Sequence, residues 1–353
     1  MRTFNLLVLG AAYGLLPSVR MLLAGHRVTV VCREAEQQAI ASTGARIELL
    51  RRSGELDRCL SVPAGTGPSS IGTLGLVGAE IDPSAFDLAF LAMGEPQYAA
   101  PEITALLKRL GDAGLPVISL MNALPPPFLR RLGTIEVDQM QPAYSSWPAW
   151  QSLDPDQITA ASPDAQAVRR DPSRPGDLTV TLASNFKVAP FARAADQAML
   201  DALAQSVSAY RPEGKPLPVR LLSHGALHVP LAKWPMLIAG NCRCLTPDGG
   251  TMSIAEVVHS DLGASQVLYD WVLDLVRAIG AEDEDLVPFA PYAKAAKALT
   301  RPSSFARAIA SGAPAVERVD KMVQLAERSL GQTSEALDAM VSAVDALMDR
   351  RAG

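Results

Sequence analysis

The first 33 residues constrain this chain most. A short apolar strand over residues 4–9 runs into Gly10-Ala11-Ala12-Tyr13-Gly14, and an amphipathic helix follows and ends at Gly25-His26. Arg27-Val28-Thr29-Val30-Val31 then supplies a second, β-branched strand that finishes at Cys32-Arg33. Strand, tight glycine turn, helix and strand in that order read as the opening of a nucleotide-binding βαβ unit. The backbone N–H groups at the helix start make an anion site, and the end of the second strand reaches the ribose of an adenosine. A full fingerprint reads G-x-G-x-x-G; here only Gly10 and Gly14 are present, and Ala12 stands two residues after Gly10, which implies a looser phosphate contact. The plainer alternative is a parallel α/β domain that binds nothing at this turn.

Met1-Arg2 and the apolar run over 6–17 superficially look like a secretory signal. The sequence instead keeps a helical period through Val19, Leu22 and Leu23 and enters a strand, so the segment reads as folded protein. No run approaches the ~20 apolar residues of a membrane span, and the chain is expected to be soluble. At 353 residues it exceeds a usual single core, and 48% hydrophobic residues suffice to fill two. A net charge of −5 gives no basic field for nucleic acid or an acidic membrane, so neither is an expected partner. Four scattered cysteines, at 32, 59, 242 and 244, suit a reducing, cytoplasmic setting better than a disulfide framework.

Further strands are expected over 46–50 and 86–93, the latter buried because Leu88-Ala89-Phe90-Leu91-Ala92 is continuously apolar. A Gly/Ser/Pro-rich loop lies between them at 63–70. A helix over 101–110 leads to a buried strand over 117–121 that ends at Asn122. This alternation means a mostly parallel sheet. Ligands on such sheets sit at the carboxyl ends of strands, which puts Gly10, Arg33, Met93 to Glu95 and Asn122 around one crevice. Residues 142–176 form an irregular excursion whose aromatic part, Tyr144-Ser145-Ser146-Trp147-Pro148-Ala149-Trp150, either closes over a cleft or packs on the sheet edge, packing being commoner.

A strand over 178–182 precedes a change of character at Arg193. Helices are expected over 194–208, 231–243, 252–279, 315–329 and 333–350, so the chain divides into a Rossmann-type α/β domain at 1–193 and an all-helical domain at 194–353. Leu337, Met340, Val341, Val344, Leu347 and Met348 give the last helix an apolar face that docks either within the chain or on a second subunit, burial within the chain being expected.

In this order of parts the sequence resembles the ketopantoate reductases over nearly its whole length. The resemblance is carried by the Gly10–Gly14 turn, Gly25-His26, Val31-Cys32-Arg33, the strand over 86–93 and Ser119-Leu120-Met121-Asn122. Lys233 with Asn241 eight residues on resembles the family's lysine and downstream asparagine, and Pro302-Ser303-Ser304-Phe305 followed by Glu317 resembles its serine pair and glutamate. The resemblance implies a nucleotide-binding domain followed by a helical domain. It also implies reduction of a small 2-oxo acid or related carbonyl with a nicotinamide cofactor.

Such a reduction needs a proton donor for the developing alkoxide and groups that orient the substrate. The resemblance assigns Lys233 as general acid, Glu317 to the substrate hydroxyl, and Asn122 to the nicotinamide ribose or Lys233. Asn241 and Ser304 become substrate contacts. Gly10, Ala11, Ala12, Tyr13, Gly14, Met93 and Asn122 become cofactor contacts, and Arg33 pairs with a 2′-phosphate, favouring NADP. Four departures stand against the pattern: Ala12 for the middle glycine, Ala123 after Asn122, no lysine in Met93-Gly94-Glu95-Pro96-Gln97, and Leu237 where an asparagine is usual. Pro235 is also expected to restrict or kink the helix carrying Lys233. The departures point away from ketopantoate itself as substrate.

His224 and His228 with Cys242-Arg243-Cys244 lack usual zinc spacing, so no metal is expected. Glu282-Asp283-Glu284-Asp285 reads as a solvated loop or helix start. The reading is therefore a soluble NADP-dependent reductase, for which a homodimer would be unsurprising. Its rival is a catalytically silent nucleotide-binding or interaction protein that keeps the fold.

Overall fold

A computed structural model of the protein describes residues 2–51, 54–64, 71–163, 167–180 and 185–352. The chain packs as two units. The first comprises Met1–Met93, Gln97–Phe128 and Pro148–Gly225; the second comprises Gly94–Pro96, Leu129–Trp147 and Ala226–Gly353.

Twelve strands are described, all in the first unit: β1 Asn5–Leu9, β2 Arg27–Val31, β3 Ala45–Leu50, β4 Leu56–Val62, β5 Leu74–Val77, β6 Leu88–Leu91, β7 Val117–Ser119, β8 Ile158–Pro163, β9 Ala167–Val168, β10 Asp177–Val180, β11 Asn185–Val188 and β12 Arg220–Ser223. Eight form one sheet in the order β12-β11-β8-β7-β6-β1-β2-β5, and β4-β3-β10-β9 form a second. From β5 to β8 every neighbouring pair is parallel, and β11 joins β8 antiparallel. The chain passes from β1 outward to β2 and later returns to the other side of β1 with β6. The order therefore reverses between β1 and β6, the place where open α/β sheets form a crevice at their carboxyl ends.

Burial on both faces explains why β1 and β6 read as unbroken apolar runs. The helix Leu15–Leu23 has all nine residues buried, because it packs against strands of both sheets and against the helix Ala194–Ala209. Its one charged residue, Arg20, donates from Nε to the Val219 carbonyl and from Nη2 to the Val207 carbonyl, each at 3.0 Å. Burial lowers its pKa to about 10. Val219, the one non-glycine residue with positive φ (64°) among those described, turns its backbone where that carbonyl is offered. His26 is buried on the same side of the core. Its Nδ1 accepts from the Phe4 amide at 3.3 Å and its Nε2 lies 2.5 Å from Ser206 Oγ.

The helix Ala194–Ala209 and β12 thus belong to the first unit, and from Ala226 onward the regular elements described are helical. Two expected helices take a different form. The stretch 252–279 is two helices, Ile254–Ser260 and Leu262–Ile279, because Ser253 closes a capping box on the first and Asp261 caps the second through the Ala264 amide. The stretch 231–243 is no regular helix. It is a series of short turns: 3₁₀ at Val229–Lys233, α at Trp234–Met236, π at Leu237–Asn241 and 3₁₀ at Cys242–Cys244. Pro235 has no N–H to give to the preceding turn, so the hydrogen-bond ladder changes period there.

In the last helix, Glu335–Ala352, Leu337, Val341, Val344 and Leu347 are buried within the chain, the latter two against Ile309 and Val316. Residues 65–70 of the expected loop, and 181–182 of the strand expected at 178–182, lie outside the described residues. No described helix is long and apolar enough to cross a membrane.

Candidate functional site

In the first unit the candidate residues gather at the carboxyl ends of β1, β2 and β6. Gly10 follows β1 with φ +106°, and a Cβ there would lie 2.6 Å from Met93 Cγ and 3.1 Å from the Ala92 carbonyl. Only glycine fits both the conformation and the space. A Cβ on Gly14, which precedes the helix Leu15–Leu23, would lie 2.3 Å from the Gly10 carbonyl and 2.6 Å from Val8 Cγ1. One glycine therefore makes the turn and the other lets helix and strand close up. Ala12 between them is exposed, and Tyr13 packs edge-on against Phe186 at 5.9 Å. Met93 follows β6 with its amide donating to Tyr98 Oη at 3.2 Å. Asn122 lies partly buried beyond the end of β7. Arg33, just past β2, is exposed and pairs with Glu36 at 3.2 Å.

In the second unit Lys233 ends the first 3₁₀ turn, partly buried, and Asn241 ends the π turn. The π turn is held from one side by Gly240, where a Cβ would lie 2.0 Å from Tyr292 Oη, and by that hydroxyl donating to the Met236 carbonyl at 3.3 Å. Single π turns inside helical stretches are frequent at functional sites. Of the serine pair, Ser303 is the buried one. It donates to the Asn241 carbonyl at 2.7 Å and caps the helix Ser304–Ala310 through the Ala306 amide, while Ser304 is exposed. The structure thus joins Ser303 to Asn241 and leaves Ser304 on the surface.

Glu317 precedes the helix Val319–Ser329. It is fixed next to Arg318, whose guanidinium pairs with buried Asp320 at 2.8 Å and with Asp345 at 2.5 Å. Glu317 Oε1 accepts from the Glu95 amide at 3.2 Å.

Glu95 is expected from the sequence only as a residue beyond the end of a strand, with no role assigned to its carboxylate. Its side chain is fully buried, at 0% exposure. Oε1 accepts from the Ser146 amide at 2.7 Å and from the Ser146 hydroxyl, and Oε2 accepts from Ser145 Oγ at 3.0 Å. One segment thus carries a carboxylate in a cage of hydroxyl and amide donors and presents its backbone N–H to Glu317. Tyr144 lies beside this pair. Burial first, then the charges of Glu95 and Glu317, push its phenol well above the ordinary range. In the aromatic excursion Tyr144 is buried and meets Trp147 at 5.7 Å within the second unit, and Trp150 is buried against Tyr98 at 4.9 Å within the first.

The other constellations have structural explanations. His228 abuts Gly280, and burial lowers its pKa. Cys242 and Cys244 are buried thiols raised by desolvation, Cys242 well above the usual value. Among the described residues no group of three or more His, Cys, Asp or Glu is arranged to hold a metal ion.

No protein-family model and no curated protein matches the sequence. Solved structures do match over the full length. A ketopantoate reductase of the PanE/ApbA family from Ralstonia eutropha is 18% identical with TM-score 0.64, covering 99% of this chain and 100% of that one. D-mandelate dehydrogenase, in a ternary structure with NADH and anilino(oxo)acetate, is 13% identical with TM-score 0.65, covering 99% and 100%. A probable 2-dehydropantoate 2-reductase from Bacillus subtilis is 15% identical with TM-score 0.63, covering 97% and 99%. The chain shares the fold of these proteins, an α/β Rossmann-type unit together with a helical one.

Proposed function

We propose that this chain is a divergent oxidoreductase of the ketopantoate reductase type, binding NADP and reducing a small 2-oxo acid or related carbonyl. The observation that carries the reading is the Gly10–Gly14 turn at the point of strand reversal, where neither glycine has room for a Cβ and the backbone is left bare at the start of the helix. Gly10, Ala11, Ala12, Tyr13 and Gly14 would hold the pyrophosphate with backbone amides, Arg33 the 2′-phosphate, and Met93 and Asn122 the nicotinamide side. When bound, the cofactor supplies the hydride for the carbonyl carbon.

The chain's own residues supply the rest. Lys233 Nζ donates the proton to the carbonyl oxygen as it gains charge, and its ammonium stabilises that charge beforehand. Glu317, oriented by the Glu95 amide, accepts from a substrate hydroxyl. Asn241 and Ser304 complete the polar contacts of a small ligand. Leu237, buried where the resemblance calls for an amide, makes that environment more apolar and favours a substrate with an apolar side chain over ketopantoate.

The test is a titration of the purified protein with NADPH and NADH, followed by nicotinamide fluorescence and thermal shift, with Arg33→Ala alongside. Saturable NADPH binding that weakens in Arg33→Ala supports the reading. A screen of 2-oxo acids, with Lys233→Ala as the inactive control, then finds the substrate. The second reading, a silent relative that keeps the fold, is favoured by exposed Ala12 in the turn and by Leu237, and binding of neither cofactor would select it. A cytoplasmic homodimer is part of the proposed reading, and sedimentation of the purified protein tests the dimer.

A further inference from the structure

The end of β2 carries more charge than Arg33 alone. Glu36, in the first turn of the helix Glu34–Thr43, receives Arg33 Nε on Oε2 at 3.2 Å and Arg169 Nη1 on Oε1 at 3.0 Å. Arg169 comes from just beyond β9, more than 130 residues away in sequence, and is anchored by a second bond from Nη2 to the Pro175 carbonyl at 3.0 Å. Its side chain is 20% exposed and that of Glu36 13%, whereas Arg33 is 82% exposed. Two guanidinium groups therefore share one carboxylate, a largely buried cation on one side and an exposed one on the other. Burial by itself would raise the Glu36 pKa; the hydrogen bonds and charges of both arginines outweigh it and hold the group below its ordinary value. The Nε atom of Arg169 is buried without a hydrogen-bond partner.

We propose that Arg169 is a second specificity-determining residue for the nucleotide, binding the 2′-phosphate together with Arg33, with Glu36 as the counterion that keeps both guanidinium groups at the end of β2. The inference rests on the nucleotide reading above and deepens it. A phosphate dianion takes two guanidinium groups better than one, because each adds charge-assisted hydrogen bonds, in Arg169 through the second hydrogens of Nη1 and Nη2. Arg33 is exposed and held by Glu36 alone, so more of its freedom is lost on binding, which opposes its gain. Arg169 is already ordered by Glu36 and Pro175, so its contribution carries little of that entropic loss. Selectivity for the 2′-phosphate then depends on a residue just beyond β9 of the second sheet, and an adenosine lacking that phosphate gains nothing from it.

The experiment is calorimetric titration of the full chain and of Arg169→Met and Arg169→Lys with 2′,5′-ADP and with 5′-AMP, each variant's fold checked by its melting curve. Wild type is expected to prefer 2′,5′-ADP. Arg169→Met should lose on the order of tenfold in 2′,5′-ADP affinity with 5′-AMP unchanged. Arg169→Lys should fall between them and serves as the readout if the Met variant does not fold. Equal loss for both nucleotides, or no loss for either, overturns the role of Arg169 while leaving the reductase reading standing. A wild-type protein that binds neither nucleotide and neither NADPH nor NADH overturns both.

Discussion

Replacing Glu95 by alanine tests whether the buried carboxylate organises its surroundings. The substitution strands the Ser146 amide, buried at 1% exposure, while the two serine hydroxyls can rotate toward other acceptors. A buried donor without a partner costs about 1–3 kcal/mol, and a vacated void of roughly 50 Å³ adds about 1 kcal/mol. The expected loss is about 2–4 kcal/mol, which for a unit of this size lowers the melting temperature by on the order of 5–12 °C. Glu95→Gln keeps the Oε1 acceptor for Ser146 and should lose less than half as much. Thermal and urea unfolding of the full chain, followed by tryptophan fluorescence, reads both variants, and Ser146→Ala combined with Glu95→Ala should be markedly less than additive. A Glu95→Ala protein that melts within 2 °C of wild type would refute the cage as a stabilising element; the backbone amide that Glu317 accepts from is kept in this variant.

Gly240→Ala should cost about 1–3 kcal/mol by overpacking against Tyr292, whose ring is held by stacking on Tyr269 at 5.1 Å; adding Tyr292→Phe removes the clashing oxygen and should recover most of the loss in a melting assay. His26 is neutral in the fold, accepting from the Phe4 amide, and burial lowers its pKa from 6.5. Its stabilising effect is complete above the unfolded value and is lost as pH falls from there toward the lower folded value. His26→Gln should therefore show a shallower loss of urea stability between pH 7 and pH 5 than wild type, and parallel curves would count against the assignment. Gly10→Ala places a side chain at φ +106° and against Met93, and is expected to abolish NADPH binding while lowering the melting temperature; unchanged binding would remove the turn from the cofactor site.

The opening βαβ unit was readable because buried parallel strands write themselves as unbroken apolar runs, and because two glycines stand where a Cβ has no room. The division of the stretch 252–279 was legible in principle: Ser253 and Glu256 form a capping box, and Asp261 caps the second helix. Periodicity alone concealed it, since the apolar spacing continues across the break. The turns around Lys233 were foreshadowed by Pro235, but a proline announces an interruption without saying which ladder replaces it. Glu95 was legible only as a residue beyond a strand end, and Arg169 not at all. Each acquires its surroundings from residues 50 or more positions away, Ser146 in one case and Glu36 in the other, and no local pattern records such a pairing. Spacing likewise does not tell the capping serine, Ser303, from its exposed neighbour Ser304.

The interleaving of the two units along the chain bears on how the protein is made. Residues 94–96 and 129–147 leave the ribosome well before the helices they pack with, so Glu95 and its serines must wait for the segment bearing Glu317 before the second unit can close. No single cut releases that unit whole. A fragment starting at Ala226 would carry Lys233 and Glu317 without the amide that orients the latter, and an amino-terminal fragment would expose the caged carboxylate's segment with nothing to receive it. Such a chain is expected to fold late and all at once, and split or truncated forms should be substrates for proteases and chaperones.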